Sequence, residues 1–254
     1  MPGLGYTVTQ LCDDLRALGV EIGDILFVHS SFKSLGMIQG GAETVITAFE
    51  NALGVDGVLL MPSFNLIGDR EQRASSWHIA KTKSSVGWLT EYFRLMPGTH
   101  RADHYSHSVA ARGQSAKNFV ADHLSEKGLT SPWDRPPWGK TYGTNSPMMR
   151  AYEQDGKLLM LGIDYQSSTY IHVVEVMFWN ERLKENPNAE YIWLDRVRLG
   201  EVWDRSGILE TGKVGDAACR LFRIRAYVDQ LLNIVRDDPD SYDRVKLDQK
   251  STQP

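Results

Sequence analysis

The stretch D-I-L-F-V-H-S-S-F-K-S-L-G, residues 24–36, decides the fold. Its first half is a short continuous apolar run, the pattern of a strand buried on both faces of a sheet. Its second half packs three serines, Phe32 and Lys33 in front of Gly36 and is too polar to continue that strand. Downstream, G-G-A-E-T-V-I-T-A-F-E-N-A-L-G (40–54) predicts a helix bounded by glycines. G-V-L-L-M-P (57–62) predicts a second buried strand stopped by Pro62. Strand, loop, helix, strand is the rhythm of a βαβ unit, so the chain reads as α/β with parallel strands.

Outward from this unit, T-V-T-Q-L-C-D-D-L-R-A-L-G (7–19) predicts an opening helix, with Leu11, Leu15 and Leu18 at helical spacing. Residues 63–84 read as a polar loop or flap, 86–96 as a helix, 107–113 as a strand and 115–123 as a helix. The Pro-, Gly- and Trp-rich run 131–147 reads as a long functional loop. K-L-L-M-L-G-I (157–163) predicts a third buried strand, and a helix begins in 169–178. Y-I-W-L-D-R-V-R-L (191–199) and G-E-V-W-D-R (200–205) read as antiparallel strands, 219–235 as an amphipathic helix, and the tail to residue 254 as frayed. No repeat or linker is visible, which favours one domain over residues 1–254.

The 254 residues carry 28 Lys+Arg against 32 Asp+Glu, a net charge of −4. Without a basic excess, a nucleic-acid partner is disfavoured. No apolar run is long enough to span a membrane, and the first residues lack a basic, then apolar, signal pattern, so a cytoplasmic protein without a membrane partner is expected. Cys12 and Cys219 belong to no Cys-x-x-Cys pair and read as free, packed thiols.

Three polar clusters follow predicted strands. H-S-S-F-K-S-L-G (29–36) offers hydroxyls, backbone N–H groups and the Lys33 cation to a phosphate or a polar chain; the plainer reading is a turn rich in capping residues. D-H-Y-S-H-S-V-A-A (103–111) holds His104 and His107 but no metal-binding spacing, so no metal is expected there. In I-D-Y-Q-S-S-T-Y-I-H-V-V-E (163–175), His172 and Glu175 are three apart and share one helix face. A carboxylate beside an imidazole fixes its tautomer and supports general-base work; the plainer reading is a surface ion pair. There is no G-x-x-x-x-G-K-S/T, no G-x-S-x-G and no G-x-G-x-x-G, so nucleotide-loop, Ser-hydrolase and Rossmann readings are all disfavoured.

Taken in order, these blocks resemble the aminoglycoside 3-N-acetyltransferase family. The carriers are H-S-S-F-K-S-L-G with the following helix and V-L-L-M-P-S-F, then V-G-W-L-T-E-Y-F-R, then R-A-D-H-Y-S-H-S-V-A-A-R-G. D-G-K-L-L-M-L-G-I-D-Y-Q-S-S-T-Y-I-H-V-V-E and G-K-V-G-D-A-A-C-R-L-F-R-I-R-A-Y-V-D complete the series. The resemblance implies a central mixed β-sheet flanked by helices, with a smaller C-terminal antiparallel β portion, unlike the GNAT acetyltransferases. It implies acetyl-coenzyme A as acyl donor and the 3-amino group of a 2-deoxystreptamine ring as acceptor, the chemistry of antibiotic resistance. Ser30, Ser31, Phe32, Lys33, Ser34 and Leu35 would line the coenzyme A tunnel beside Ser108, Val109 and Ala110. His172 and Glu175 would form the catalytic dyad, and donors near 31–35 and 108–110 would hold the oxyanion.

The chain departs from the family pattern around the acceptor. Trp77-His78-Ile79 stands where many members have Phe-Asp-Pro, D-H-Y-S-H-S replaces His-Pro-Thr-His-Ser, Arg112 replaces an apolar residue, and Ser167-Ser168-Thr169 replaces Asn-Thr-Ser. A polycationic acceptor calls for carboxylates, for which Asp69, Glu71, Asp103 and Asp164 are candidates with His107 beside them, but Arg70, Arg73 and Arg112 are interspersed. One alternative is therefore another amino sugar, nucleotide-linked, with the arginines on its phosphates and Trp77, Trp133 and Trp138 stacked on its rings. Another is a protein that binds coenzyme A or an antibiotic without turnover. Sequence alone does not set the oligomeric state.

Overall fold

The computed structural model describes residues 5–251. The strands are β1 Ile25–Ser30, β2 Val58–Pro62, β3 His100–Arg101, β4 Val109–Arg112, β5 Gly128–Leu129, β6 Tyr142–Gly143, β7 Lys157–Leu161, β8 Glu210–Val214 and β9 Ala217–Arg223. The helices are α1 Val8–Ala17, α2 Ala42–Leu53, α3 Arg70–Ser76, α4 Trp88–Leu95, α5 Ala116–Val120, α6 Pro147–Glu153, α7 Ile171–Glu185, α8 Arg196–Ser206, α9 Ile224–Asp237 and α10 Arg244–Ser251. Among the described residues, no helix is long and apolar enough to cross a membrane.

The apolar run after Asp24 forms β1, the middle of a seven-stranded sheet ordered β3-β4-β2-β1-β7-β9-β8. Strand β1 lies parallel to β2 and to β7, whereas β4 and β9 run antiparallel to β2 and β7. The sheet is thus mixed, parallel at its centre and antiparallel at its edges, with β8 and β9 as its C-terminal antiparallel portion and β5–β6 as a separate two-stranded ladder. Alternation along the strands divides the core in two. Phe27, Leu60, Leu158 and Met160 face α5, α6, α7, α8 and α9, and Leu26, Val28, Leu59, Met61, Leu159 and Leu161 face α1, α2 and α4. A strand covered on both faces has no reason to alternate in hydrophobicity, which is why β1, β2 and β7 read as continuous apolar runs.

The α/β class, the mixed central sheet and the flanking helices agree with expectation. Several assignments need correction. Residues 191–205 are not a strand pair: the Asp195 side chain accepts from the N–H groups of Val197 and Arg198 and starts α8, which buries Leu199 and Trp203 at helical spacing. The helix expected over 219–235 begins only at Ile224. Residues 219–223 belong to β9, where Cys219 pairs with Leu161 and Leu221 with Leu159, so Cys219 is a strand residue. Both thiols are buried and free. The loops 63–84 and 131–147 hold or border short elements, α3 and β6, and α7 runs on to Glu185. The tail expected to fray forms α10, while residues 1–4 and 252–254 of the two expected ends lie outside the described residues.

Where β7 ends, Gly162 turns the chain with φ +64, and a Cβ there would come within 1.7 Å of the Ser34 hydroxyl. That close approach locks the turn after β1 against the turn after β7. Replacement Gly162→Ala is therefore expected to cost more than the roughly 1–2 kcal/mol of a left-handed L-residue. Chemical denaturation should show it, with part of the loss recovered in Gly162→Ala/Ser34→Gly.

Candidate active site

The three central strands run the same way, so their carboxyl ends open at one edge of the sheet, the usual place for ligands in open α/β sheets. The chain leaving each end lines one cavity of about 490 Å³, a size suited to a small molecule. His29 and Ser30 come from β1, Pro62, Phe64 and Asn65 from the end of β2, and Ile163, Thr169 and His172 from the segment joining β7 to α7. Hollows of about 810 and 840 Å³ elsewhere are more open surface grooves, and none of them holds His172 or Glu175.

His172 and Glu175 fall on the first turn of α7, both turned into the protein. His172 Nδ1 lies 2.6 Å from Glu175 Oε2. The same oxygen accepts from the Tyr191 hydroxyl at 2.7 Å, and Oε1 accepts from the Leu194 N–H at 2.8 Å. The carboxylate is 1% exposed, and a charge so buried survives only when its lone pairs are filled. Burial and the Glu175 charge push the Tyr191 phenol far above its ordinary range, so it stays a donor. Because Nδ1 faces an acceptor, Nδ1 carries the ring proton, and Nε2 is the nitrogen left with a free lone pair.

The ring of His172 is packed by Trp133, Trp193 and His107, with centroids 4.9, 6.2 and 5.4 Å away. His107 holds a left-handed backbone (φ +52), uncommon for a residue with a side chain, and its Nδ1 lies 2.8 Å from the Ser106 hydroxyl. Four further side chains order this layer: His29 Nε2 lies 3.0 Å from Thr169 Oγ1, and His104 and His123 stack at 4.4 Å. Burial drives the imidazoles toward neutrality, His29 and His123 each to about 3 and His104 to about 4. His107 is held well below its usual value by burial, then by the neighbouring imidazoles. Among the described residues, no group of three or more His, Cys, Asp or Glu is placed to hold a metal ion.

Of the residues singled out from sequence, His172, His107, Ser30, Arg70, Arg73, Trp133, Ser167 and Thr169 line the cavity. Ser30 Oγ is buried and has no protein hydrogen-bond partner, whereas other expected donors are in use. Ser31 N–H is bonded to Leu161 O, Ser34 Oγ to Ser31 O and Ser108 Oγ to Ala102 O. Leu35, Val109 and Ala110 are core residues. Phe32 packs on Trp88, itself exposed and stacked on Tyr92, and Lys33 is exposed. Asp69, Asp103 and Asp164 do not line the cavity. Asp69 caps α3, Asp103 accepts from the Trp77 indole and Asp164 caps the turn at Tyr165. Trp77 and Trp138 pack in a separate cluster, and Arg112 pairs with Glu50. Sequence reading missed Tyr191, Trp193 and Arg196. Trp133 in the Trp-rich loop, Arg70 and Arg73 beside the acidic candidates, and Thr169 in the departing Ser-Ser-Thr triplet carried a visible signal.

A family model described as aminoglycoside 3-N-acetyltransferase matches residues 27–236. The chain belongs to the aminoglycoside 3-N-acetyltransferase family. It is 29% identical over 245 residues to aminoglycoside N(3)-acetyltransferase IV of a Salmonella species, covering 91% of this chain and 87% of the relative. It is 26% identical over 257 residues to the SPbeta prophage-derived aminoglycoside N(3')-acetyltransferase-like protein YokD of Bacillus subtilis, covering 88% and 90%. Among solved structures it resembles a mutant of aminoglycoside acetyltransferase AAC(3)-IVa in complex with apramycin, with TM-score 0.73, 25% identity and coverage of 94% and 96%. The family expected from the order of the motif blocks is the one found, and the family match spans both the strand-to-loop unit around Lys33 and the segment bearing His172 and Glu175.

The neutral histidines make the fold of this acetyltransferase-family chain acid-sensitive. In the unfolded chain they titrate near 6.5, so the unfolded state binds more protons as pH drops below that value. Their contribution is complete above about pH 6.5 and lost as pH falls toward the folded values of about 4 and 3. Thermal melts should show the midpoint falling between pH 6.5 and 4, and His123→Gln should flatten that slope; an unchanged slope would mean the ring already titrates normally in the folded state.

Proposed function

We propose that the chain transfers the acetyl group of acetyl-coenzyme A directly to an amino group, with His172 as general base and Glu175 as the carboxylate that orients it. The relatives' names support an aminoglycoside as acceptor, at the 3-amino group of the 2-deoxystreptamine ring. The observation that carries the reading is the 2.6 Å His172–Glu175 pair, held from behind by Tyr191 and Leu194 and facing a cavity at the strand ends.

An ammonium is not a nucleophile, so the acceptor nitrogen must first lose a proton. His172 Nε2 takes it, directly or through a water, while the proton on Nδ1 stays hydrogen-bonded to Glu175. The imidazolium then sits against a buried carboxylate, which stabilises the charge formed during proton transfer. When bound, acetyl-coenzyme A supplies the thioester whose carbonyl the freed amine attacks, and its thiolate leaves as the amide forms. After attack the nitrogen still carries one proton too many and releases it to water as the amide forms, while His172 can return the first proton to the thiolate, so the chemistry balances without a covalent enzyme intermediate and without Cys12 or Cys219. Supporting such a donor beside the cavity are the buried Ser30 hydroxyl, which lacks a protein partner, and next to it in the chain Phe32 on its Trp88 ledge and exposed Lys33.

The test is thiol release from acetyl-coenzyme A with a panel of aminoglycosides. His172→Ala is expected to lower kcat by roughly 10²–10⁴-fold. Glu175→Gln should lower it less and shift the pH profile of kcat/KM, because the ring loses its charged partner while keeping a neighbour of the same shape. Full activity in His172→Ala would discard the base assignment, and binding of coenzyme A with no release for any amine would favour binding without turnover.

A further inference from the structure

Three guanidinium groups converge on the cavity that holds His172. Arg70 and Arg73 project from α3, and Arg196 is the first residue of α8. Each is tied to neutral backbone carbonyls. Arg70 Nη1 donates to Pro132 O at 3.0 Å, Arg73 to Asp69 O and Asn65 O at 3.2 and 3.3 Å, and Arg196 Nη1 to Gln166 O at 2.9 Å. Among the described residues, none of the three has a carboxylate oxygen within 4.0 Å, and no Asp or Glu lines the cavity.

This wall is therefore positively charged and not neutralised by the protein. Burial pulls the Arg73 guanidinium below its ordinary range; Arg70 and Arg135 add to this, and Tyr105 and Asp69 oppose it. Carbonyl bonds hold the planar groups in place without cancelling their charge, an arrangement suited to a multidentate anion. A polycation entering the same space would add to the repulsion.

The position of the wall relates it to the base. Arg70 Cζ lies 5.6 Å from the Trp133 ring and 5.9 Å from the Trp193 ring, and the His172 ring packs on the same two indoles. One molecule lying along these indoles would reach both the proton-accepting nitrogen and the guanidinium. The two ring faces suit a sugar or a nucleobase.

We propose that Arg70, Arg73 and Arg196 form an anion subsite in the acceptor region of the cavity, and that the preferred acceptor is an amino sugar carrying phosphate, either free or nucleotide-linked. The proposal rests on acyl transfer at His172 and changes only the acceptor. Coenzyme A also carries phosphates, but exposed Lys33 lies in the loop that the family resemblance assigns to that donor, apart from this wall.

The experiment is calorimetric titration of the protein, saturated with coenzyme A, with UDP-glucosamine, glucosamine 1-phosphate, glucosamine and gentamicin, repeated on Arg70→Gln and Arg196→Gln. Two variants on separate helices guard against one that fails to fold. The phosphorylated sugars should bind at least tenfold more tightly than glucosamine, and each variant should lose most of that margin. A tighter fit for UDP-glucosamine than for glucosamine 1-phosphate would assign the nucleotide-linked source, and the reverse the free phosphate. Equal binding of phosphorylated and plain glucosamine overturns the subsite, as does gentamicin binding more tightly than either phosphorylated sugar. A rise in the KM for acetyl-coenzyme A in the variants, with acceptor binding unchanged, would give the arginines to the donor and equally overturn it. Failure of the acyl-transfer reading would be seen separately, as unchanged thiol release in His172→Ala.

Discussion

The buried carboxylate of Glu175 is the constraint around which the site is arranged. A carboxylate that loses water must find donors for both oxygens, and here it finds three of them on two pieces of chain: His172 one turn away on α7, and Tyr191 with the backbone of Leu194 in the connection to α8. Removing any one donor would leave part of a buried charge unpaired, at a cost well above that of an ordinary surface hydrogen bond. The network therefore does two things at once. It orients the His172 ring, and it pins the connection between α7 and α8 over the cavity, which places Trp193 and Arg196 in the wall.

That network has a fixed location because of the sheet. Parallel pairing of β1 with β2 and β7 sends three chain segments out of the same edge, and each contributes to the cavity within a few residues of leaving its strand. Gly162 and Ser34 join two of those exits by close approach, so the turn beside the cavity is tied to the turn that starts α7's approach. Antiparallel β4 begins at this end, and the chain entering it brings Ser106 and His107 to the cavity. The C-terminal strands widen the sheet and cover the core, and the short ladder of β5 and β6 sits outside it.

Much of this was legible in the sequence, for physical reasons. Central strands covered on both faces must be continuously apolar, so β1, β2 and β7 announced themselves. His172 and Glu175 were visible because the helical period alone brings residues three apart together. The C-terminal part was harder. Ile192 and Leu194 alternate as in a strand, but the cap at Asp195 turns the chain into α8. Arg220 and Arg223 fit an amphipathic helix until the ladder with β7 claims residues 219–223. Tyr191 and Trp193 gave no signal, since their roles arise only when distant segments meet. The acidic residues picked for an acceptor showed the reverse. Asp69 and Asp164 are strong helix and turn caps, and local N–H groups satisfied them before any ligand was needed.

Chemistry and recognition are carried by different parts of the molecule. The proposed base His172, its partner Glu175 and the hydroxyl of Ser30 stand on a core strand and the buried helix α7, where packing allows little change. The arginines stand on α3, within a long connection between β2 and α4, and at the first residue of α8. Substitutions there would alter the charge of the wall, and Arg70 and Arg73 meet the layer around His172 through Trp133, Trp193 and backbone carbonyls. A scaffold divided in this way can keep one acyl-transfer reaction while its acceptor changes from cation to anion. Family membership therefore bears more directly on the role of His172 than on which amine reaches it.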